Sequence, residues 1–156
     1  MRSRAVDAGV FAPYASSAAD ALRPELREDT AGGLLTPVDF GDVCVNIDDS
    51  FFATAGLEPP ATLEDLAAPE YRDLLVVEDP GTSSPGLAFL LATIHEYGLD
   101  GWQAYWSALG ANGVEVVESW TQAYYDRFTW AGGGPVPMVV SYGSSPPAEV
   151  IFADPP

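Results

Sequence analysis

An α/β fold with a mostly parallel sheet flanked by helices is the class this sequence predicts, and three observations predict it. Short apolar runs rich in β-branched residues, LLVVE at 74–78, VEVVE at 114–118 and VPMVVSY at 136–142, read as strands. Longer segments of helical character, 84–98, 100–113 and 119–134, alternate with them. Each strand run is also followed by a turn carrying hydroxyls, Thr82 to Ser84, Ser119, and Ser144 with Ser145, as where a strand feeds a helix.

Taken in order, the first thirty-five residues read as irregular, with SSAADALRPELRED (16–29) forming a short helix or pair of turns broken at Pro24, and TAGGLL (30–35) a loop. TPVDFGDVCVNI (36–47) reads as an extended segment opened by Pro37. DDSFFATAG (48–56) predicts a capped short helix closed by Gly56. Thr62 with Asp65 three residues on approximates a capping box for a second helix. LLVVE suits a strand buried on both faces. In SPGLAFLLATIHEYG, Ser84 is placed to cap, Pro85 falls at the first helical position and Gly98 ends the helix. DGWQAYWSALGANG repeats that grammar with Trp102, Tyr105, Trp106 and Leu109 on one face. SWTQAYYDRFTWAGGG is expected to be one helix closing in a glycine loop, and GSSPPAEVIF a turn and a restart.

Composition excludes several function classes. The 156 residues suit one domain with a sizeable core, and apolar residues make up 47%. Six basic residues, all arginine, stand against 23 acidic ones, a net charge of −17. That balance argues against nucleic acid and anionic membranes as partners. No run approaches the ~18 apolar residues of a spanning helix. MRSRAVDAGVFAPY does not read as a signal peptide, which leaves open that the chain is a piece of a longer one. One cysteine, Cys44 in VCVNI, rules out an internal disulfide and reads as a buried, inert thiol.

Ligands of open α/β sheets collect at strand carboxyl ends, and three such ends carry suitable chemistry. In EDPGTSSPG, Thr82, Ser83 and Ser84 precede a helix: either a cap or an anion site. In ESWTQAYYDRF, Trp120 is either a stacking platform or a lid over the helix. In VVSYGSSPP, Tyr142 is either a pocket wall or a core residue, with Ser144 and Ser145 in the turn beyond. Catalytic signals are weak. His95 lies on an apolar helix without the second histidine of a zinc motif, and no GxSxG elbow occurs. The acid pairs Asp48/Asp49 and Glu78/Asp79 read as caps and solvated faces. No metal site, catalytic residue or cofactor is predicted.

Read in order, TPVDFGDVCVNID, EDPGTSSPGLAFLL, YGLDGWQAYWSALGANGVEVVESWTQAY and MVVSYGSSPPAEV resemble the thiamine-binding proteins of bacterial ABC importers, among the two-lobed extracytoplasmic solute-binding proteins. The combination of TSSPGL, WQAYW and SYGSSP is the specific part. The resemblance runs from about residue 11 to 151 and covers roughly half of a full-length member. It implies one lobe of a two-lobed periplasmic-binding-protein-like fold: residues 1–35 a remnant of the first lobe, 36–145 the second lobe with hinge strands, and 146–156 a return segment toward the missing first lobe. It also implies capture of thiamine or a thiamine phosphate without chemistry. Ser83, with Thr82 and Ser84, would face the phosphate or hydroxyethyl end; Trp120 and Tyr142 would line the rings; Ser145 completes the candidate set. The implied partners are the missing first lobe and an ABC permease in the membrane. The implied location is extracytoplasmic, in the periplasm or on the cell surface, with a lipid anchor as one means of retention. Ala148 stands where the family has a further pocket aromatic, and AGGGPVP is longer than in the simplest members. Two rivals remain: a lobe for ferric ion, polyamine or oxyanion, and a small serine-dependent hydrolase using Ser83 or Ser144.

Overall fold

The computed structural model describes residues 2–27 and 31–152. Residues 28–30 and the terminal ADPP lie outside the described residues. The chain divides into two compact units, 1–40 and 41–156.

In the first unit, the segment expected to be irregular opens with a helix, α1 (Arg2–Asp7), whose arginines and alanine are good helix formers. A 3₁₀ turn at Ala19–Ala21 and the one-turn helix α2 (Pro24–Arg27) follow. Pro24 starts α2 rather than merely interrupting a helix, because its fixed φ suits a first helical residue. Arg23 pairs with Glu25 and sits 4.4 Å from the Phe40 ring centroid.

The second unit holds a mixed four-stranded sheet of order β1-β4-β2-β3, with β1 Val43–Ile47, β2 Leu75–Glu78, β3 Glu115–Val117 and β4 Met138–Tyr142. β2 runs parallel to both β3 and β4, whereas β1 is antiparallel to β4. Only Val43–Ile47 of the predicted 36–47 extension is strand. Cys44, expected to be buried, is exposed near the start of β1, an edge strand. Burial still dominates in raising its thiol pKa, with the Asp42 charge adding to it, so the thiol stays protonated.

Each central strand is covered on both faces, which explains the unbroken apolar run of LLVVE. Leu75 and Val77 of β2 and Met138 and Val140 of β4 pack with Phe52, Leu66, Phe89, Tyr105 and Leu109. Their alternating neighbours Val76 and Val139 pack on the opposite face with Val117, Ala123, Tyr124, Phe128 and Val136. The connection after β2 is α4 (Ser84–Ala111), broken at Gly98 by φ 71 and ψ 174, so the two predicted helices are two segments of it. That left-handed φ suits glycine alone, and the turn lets Tyr97 stack on Tyr105 at 4.4 Å.

The connection after β3 departs from the single predicted helix. Gln122–Arg127 form a π-type turn, with Phe128 N–H donating to the Ala123 carbonyl five residues back at 3.0 Å. Phe128 is extended, bridges to Val136 and is buried, so tertiary pairing ends the helix there. A four-residue helix, α5 (Thr129–Gly132), follows. The glycine loop folds back against this turn: a Cβ at Gly132 would strike the Tyr125 carbonyl, and one at Gly134 the Arg127 backbone. The restart becomes α6 (Ser145–Phe152).

Helix α3 (Asp49–Ala55) forms as its sequence predicts, capped by Asp48 and closed by left-handed Gly56. The box at Thr62 and Asp65 forms reciprocally but starts only the 3₁₀ turn Asp65–Ala67. Asp48 does more than cap. It is buried, its Oδ1 accepts from Ser50 and Phe51, and its Oδ2 accepts from the Thr129 hydroxyl, tying α3 to α5. Burial alone would raise its pKa, but the bonds from Ser50 and Thr129 and from the backbone outweigh that and hold it below the ordinary value. Asp48→Ala removes both the cap and the partner of a part-buried hydroxyl. Urea unfolding is expected to show a loss of about 2 kcal/mol at unchanged m-value.

Candidate functional site

Parallel pairing places the carboxyl ends of β2, β3 and β4 on one edge of the sheet; the register sets Glu78 beside Val117, and Val76 beside Val139. The antiparallel β1 brings its amino end there too, with Val43 opposite Tyr142. All three predicted turns therefore project from the same edge.

The first turn is closed by Asp79. Its side chain accepts from Gly81 N–H at 2.6 Å, and its carbonyl accepts from Thr82 and Ser83 N–H at 3.1 and 3.0 Å. The turn can lie this close to the strand only because residue 86 is glycine, since a Cβ there would strike the Glu78 carbonyl. The helix begins one residue earlier than predicted. Ser84 is its first residue, Pro85 its second, and Ser83 holds the capping position in extended conformation. Asp79 engages the Thr82 and Ser83 amides across the turn, and the helix starts after the extended Ser83, whose carbonyl accepts from Leu87. The Ser83 hydroxyl makes no cap bond; it is buried without a hydrogen-bond partner.

Two hydrogen-bonded links join the turns. The Thr82 hydroxyl donates to the Glu118 carbonyl at 2.6 Å, tying the first turn to the second. The Trp120 indole donates to Ser141 Oγ at 2.8 Å, and Ser141 Oγ lies 3.0 Å from Ser145 Oγ, tying the second to the third. Tyr124 stacks beneath Trp120 at 5.0 Å and 15°, and Tyr142 stands 6.3 Å away at 47°. The indole is thus fixed by its N–H and one face, half-buried, beside a half-buried Tyr142.

Of the six candidates, Ser83, Trp120 and Tyr142 project from this common edge. Thr82 and Ser145 are engaged within it, Ser145 being buried, and Ser84 is exposed on the first turn of α4. Sequence reasoning missed Ser141, although a lone polar residue inside MVVSY was its signal. It also passed over Tyr124 and Tyr125. His95 lies twelve residues beyond the capping Ser83, about 18 Å along the axis of α4, so it cannot serve Ser83 as a base. Among the described residues, no three His, Cys, Asp or Glu side chains group to hold a metal ion. No described helix is long and apolar enough to cross a membrane.

Glu78 is the main correction at this edge. Expected on a cap or solvated face, it is fully buried, with both carboxylate oxygens unpartnered. Alternation along β2 puts its side chain on the face of Val76, the side that carries Tyr124 and Trp120. Burial drives its pKa up to about 7, so the strand end carries a largely neutral acid at mildly acidic pH.

The family model described as "Bacterial extracellular solute-binding protein" matches residues 1–146. The thiamine-binding periplasmic protein of Brucella abortus is 31% identical over 143 residues, covering 92% of this chain and 39% of that protein. The thiamine-binding periplasmic protein of Haemophilus influenzae is 30% identical over 145 residues, covering 92% of this chain and 40% of that protein. A solved periplasmic thiamin binding protein superposes with a TM-score of 0.69 at 27% identity, over 95% of this chain and 44% of that one. The chain spans about two-fifths of the length of these curated relatives.

The buried Glu78 couples stability to pH. Its folded-state pKa lies above the unfolded value near 4.5, so the native state holds the proton more tightly. Stability from this group is full below that value and lost as pH rises through about 7. Between pH 4.5 and 8 the unfolding free energy is expected to fall by up to about 3 kcal/mol, and Glu78→Gln to flatten most of that slope. Parallel pH profiles for the two proteins would contradict the assignment.

Proposed function

The chain belongs to the bacterial extracellular solute-binding protein family, and on that premise we propose that it is the second lobe of a thiamine-binding component of an ABC importer. It captures its ligand without chemistry. The observation that carries this reading is the tethered indole at the meeting of three turns.

Trp120 is backed on one face by Tyr124, held at its N–H by Ser141, and flanked by Tyr142. The thiazolium ring of thiamine is flat and cationic, and an aromatic face attracts it through the ring quadrupole. The unpartnered Ser83 hydroxyl stands at the N-terminus of α4, where orphan helix donors and the dipole favour an oxygen-rich or anionic tail such as a hydroxyethyl or phosphate group. A net charge of −17 raises the local concentration of a cation and opposes a bare oxyanion, which separates thiamine from the oxyanion alternative. For the hydrolase alternative, the distance of His95 from Ser83 leaves the serine without a base.

In this reading residues 36–145 form the lobe and its hinge strands, 1–35 and 146–156 belong with a first lobe, and closure of the two lobes completes the pocket. Thr82 and Ser145 act by holding the rim in shape, and Ser84 borders the tail end. The partners are the first lobe and a membrane permease, and the site of action is extracytoplasmic, as the relatives' names state for those proteins.

Titration calorimetry on the product of the complete reading frame should register thiamine binding that weakens with added salt. Trp120→Ala should reduce affinity at least tenfold, since it removes stacking and cation–π attraction together. Heat with ferric citrate or phosphate but none with thiamine or its phosphates would overturn the reading.

A further inference from the structure

One ring at this edge carries chemistry that the proposed pocket has not used. Tyr125 follows the buried Tyr124 but is itself exposed, at 42%. It is perpendicular to both Trp120 and Tyr124, at 83° and 87°, with centroids 5.5 and 5.3 Å away. Near-equal distances to two rings that are themselves 5.0 Å apart place it beside their stack rather than over it. The outer face of the indole is therefore left uncovered by Tyr125.

The Tyr125 hydroxyl donates to Glu149 Oε1 at 3.0 Å. Glu149 lies four residues beyond Ser145 on α6, so both side chains share one face of that helix. Ser145 reaches Trp120 through Ser141, and Glu149 reaches it through Tyr125. One face of α6 is thus linked to the indole twice through intermediaries, by way of Ser141 and by way of the Tyr125 ring, whose hydroxyl holds the Glu149 carboxylate. The guanidinium on the same π-type turn, Arg127, is engaged elsewhere, with Nε and a terminal nitrogen on Glu115 Oε2 at 2.9 and 2.7 Å. The neighbouring position, Ala148, offers no ring of its own.

We propose that Glu149, oriented by Tyr125, is the counter-charge for a positively charged ring stacked on Trp120, and so sets the specificity of this site for cationic over neutral aromatic solutes. The inference rests on the thiamine reading above and deepens it. Tyr125 is a positioning residue: its hydroxyl ties the carboxylate to the aromatic cluster that holds Trp120. The bond to Glu149, then burial and the Glu149 charge, raise the Tyr125 pKa, so the phenol keeps the proton it donates.

The test uses the product of the complete reading frame, titrated with thiamine and with its uncharged analogue in which carbon replaces the thiazolium nitrogen. Glu149→Gln keeps shape and removes charge. It should weaken thiamine binding roughly fivefold, the scale of a solvent-screened charge pair, and leave the uncharged analogue unchanged. Tyr125→Phe should weaken thiamine alone, and add nothing in the Glu149→Gln background. Equal losses for both ligands would show a packing role, and unchanged thiamine affinity would show a mere surface tie; either overturns the proposal while the thiamine reading stands. Absence of thiamine binding by the unsubstituted protein would overturn both.

Discussion

The parallel register of β2 with β3 and β4 is the constraint on which the rest depends. Parallel strands share a direction, so their exits share an edge, and turns separated by tens of residues meet there. β2 and β4 are also deeply buried, with Val76, Val77, Val139 and Val140 fully enclosed. The edge is consequently held by the core, and the side chains on it inherit that rigidity. Two connections of unlike construction cover the sheet, the long broken helix α4 on one face and the π-type turn on the other.

Polar bookkeeping at this edge is uneven in an informative way. The indole, Ser141 and Ser145 satisfy one another, and Thr82 satisfies the end of β3. Glu78, Ser83 and Tyr124 do not; each keeps a buried polar atom without a partner. Such groups oppose folding. Glu78 differs from Ser83 in that it faces the covered side of the sheet, so its effect is on stability and its pH dependence.

On the proposed reading, the lobe would supply one wall of a binding site. An indole backed on one face is a platform, and it gains most when a second surface closes over it and excludes water. The high negative charge acts at a longer range than any of these contacts and biases which solutes approach. Glu149, held through Tyr125 to the same aromatic cluster, would act at shorter range in the same sense.

The sequence by itself determined the α/β class, the strand positions, the cap and closure of α3 by Asp48 and Gly56, and the three turns that matter. These follow from local causes: apolar runs, hydroxyl and acidic caps, and glycine where φ turns positive. The motifs TSSPGL and SYGSSP also carried the family. Only the tertiary structure decided what those turns do to one another. That Ser141 anchors Trp120, that the stretch after Trp120 breaks at Phe128 to bridge Val136, that Cys44 lies on an open edge and that Glu78 is enclosed all depend on residues distant in the chain. A run of residues records its own backbone preferences; which face of a strand is covered, and by what, is set by pairing partners that no local window contains.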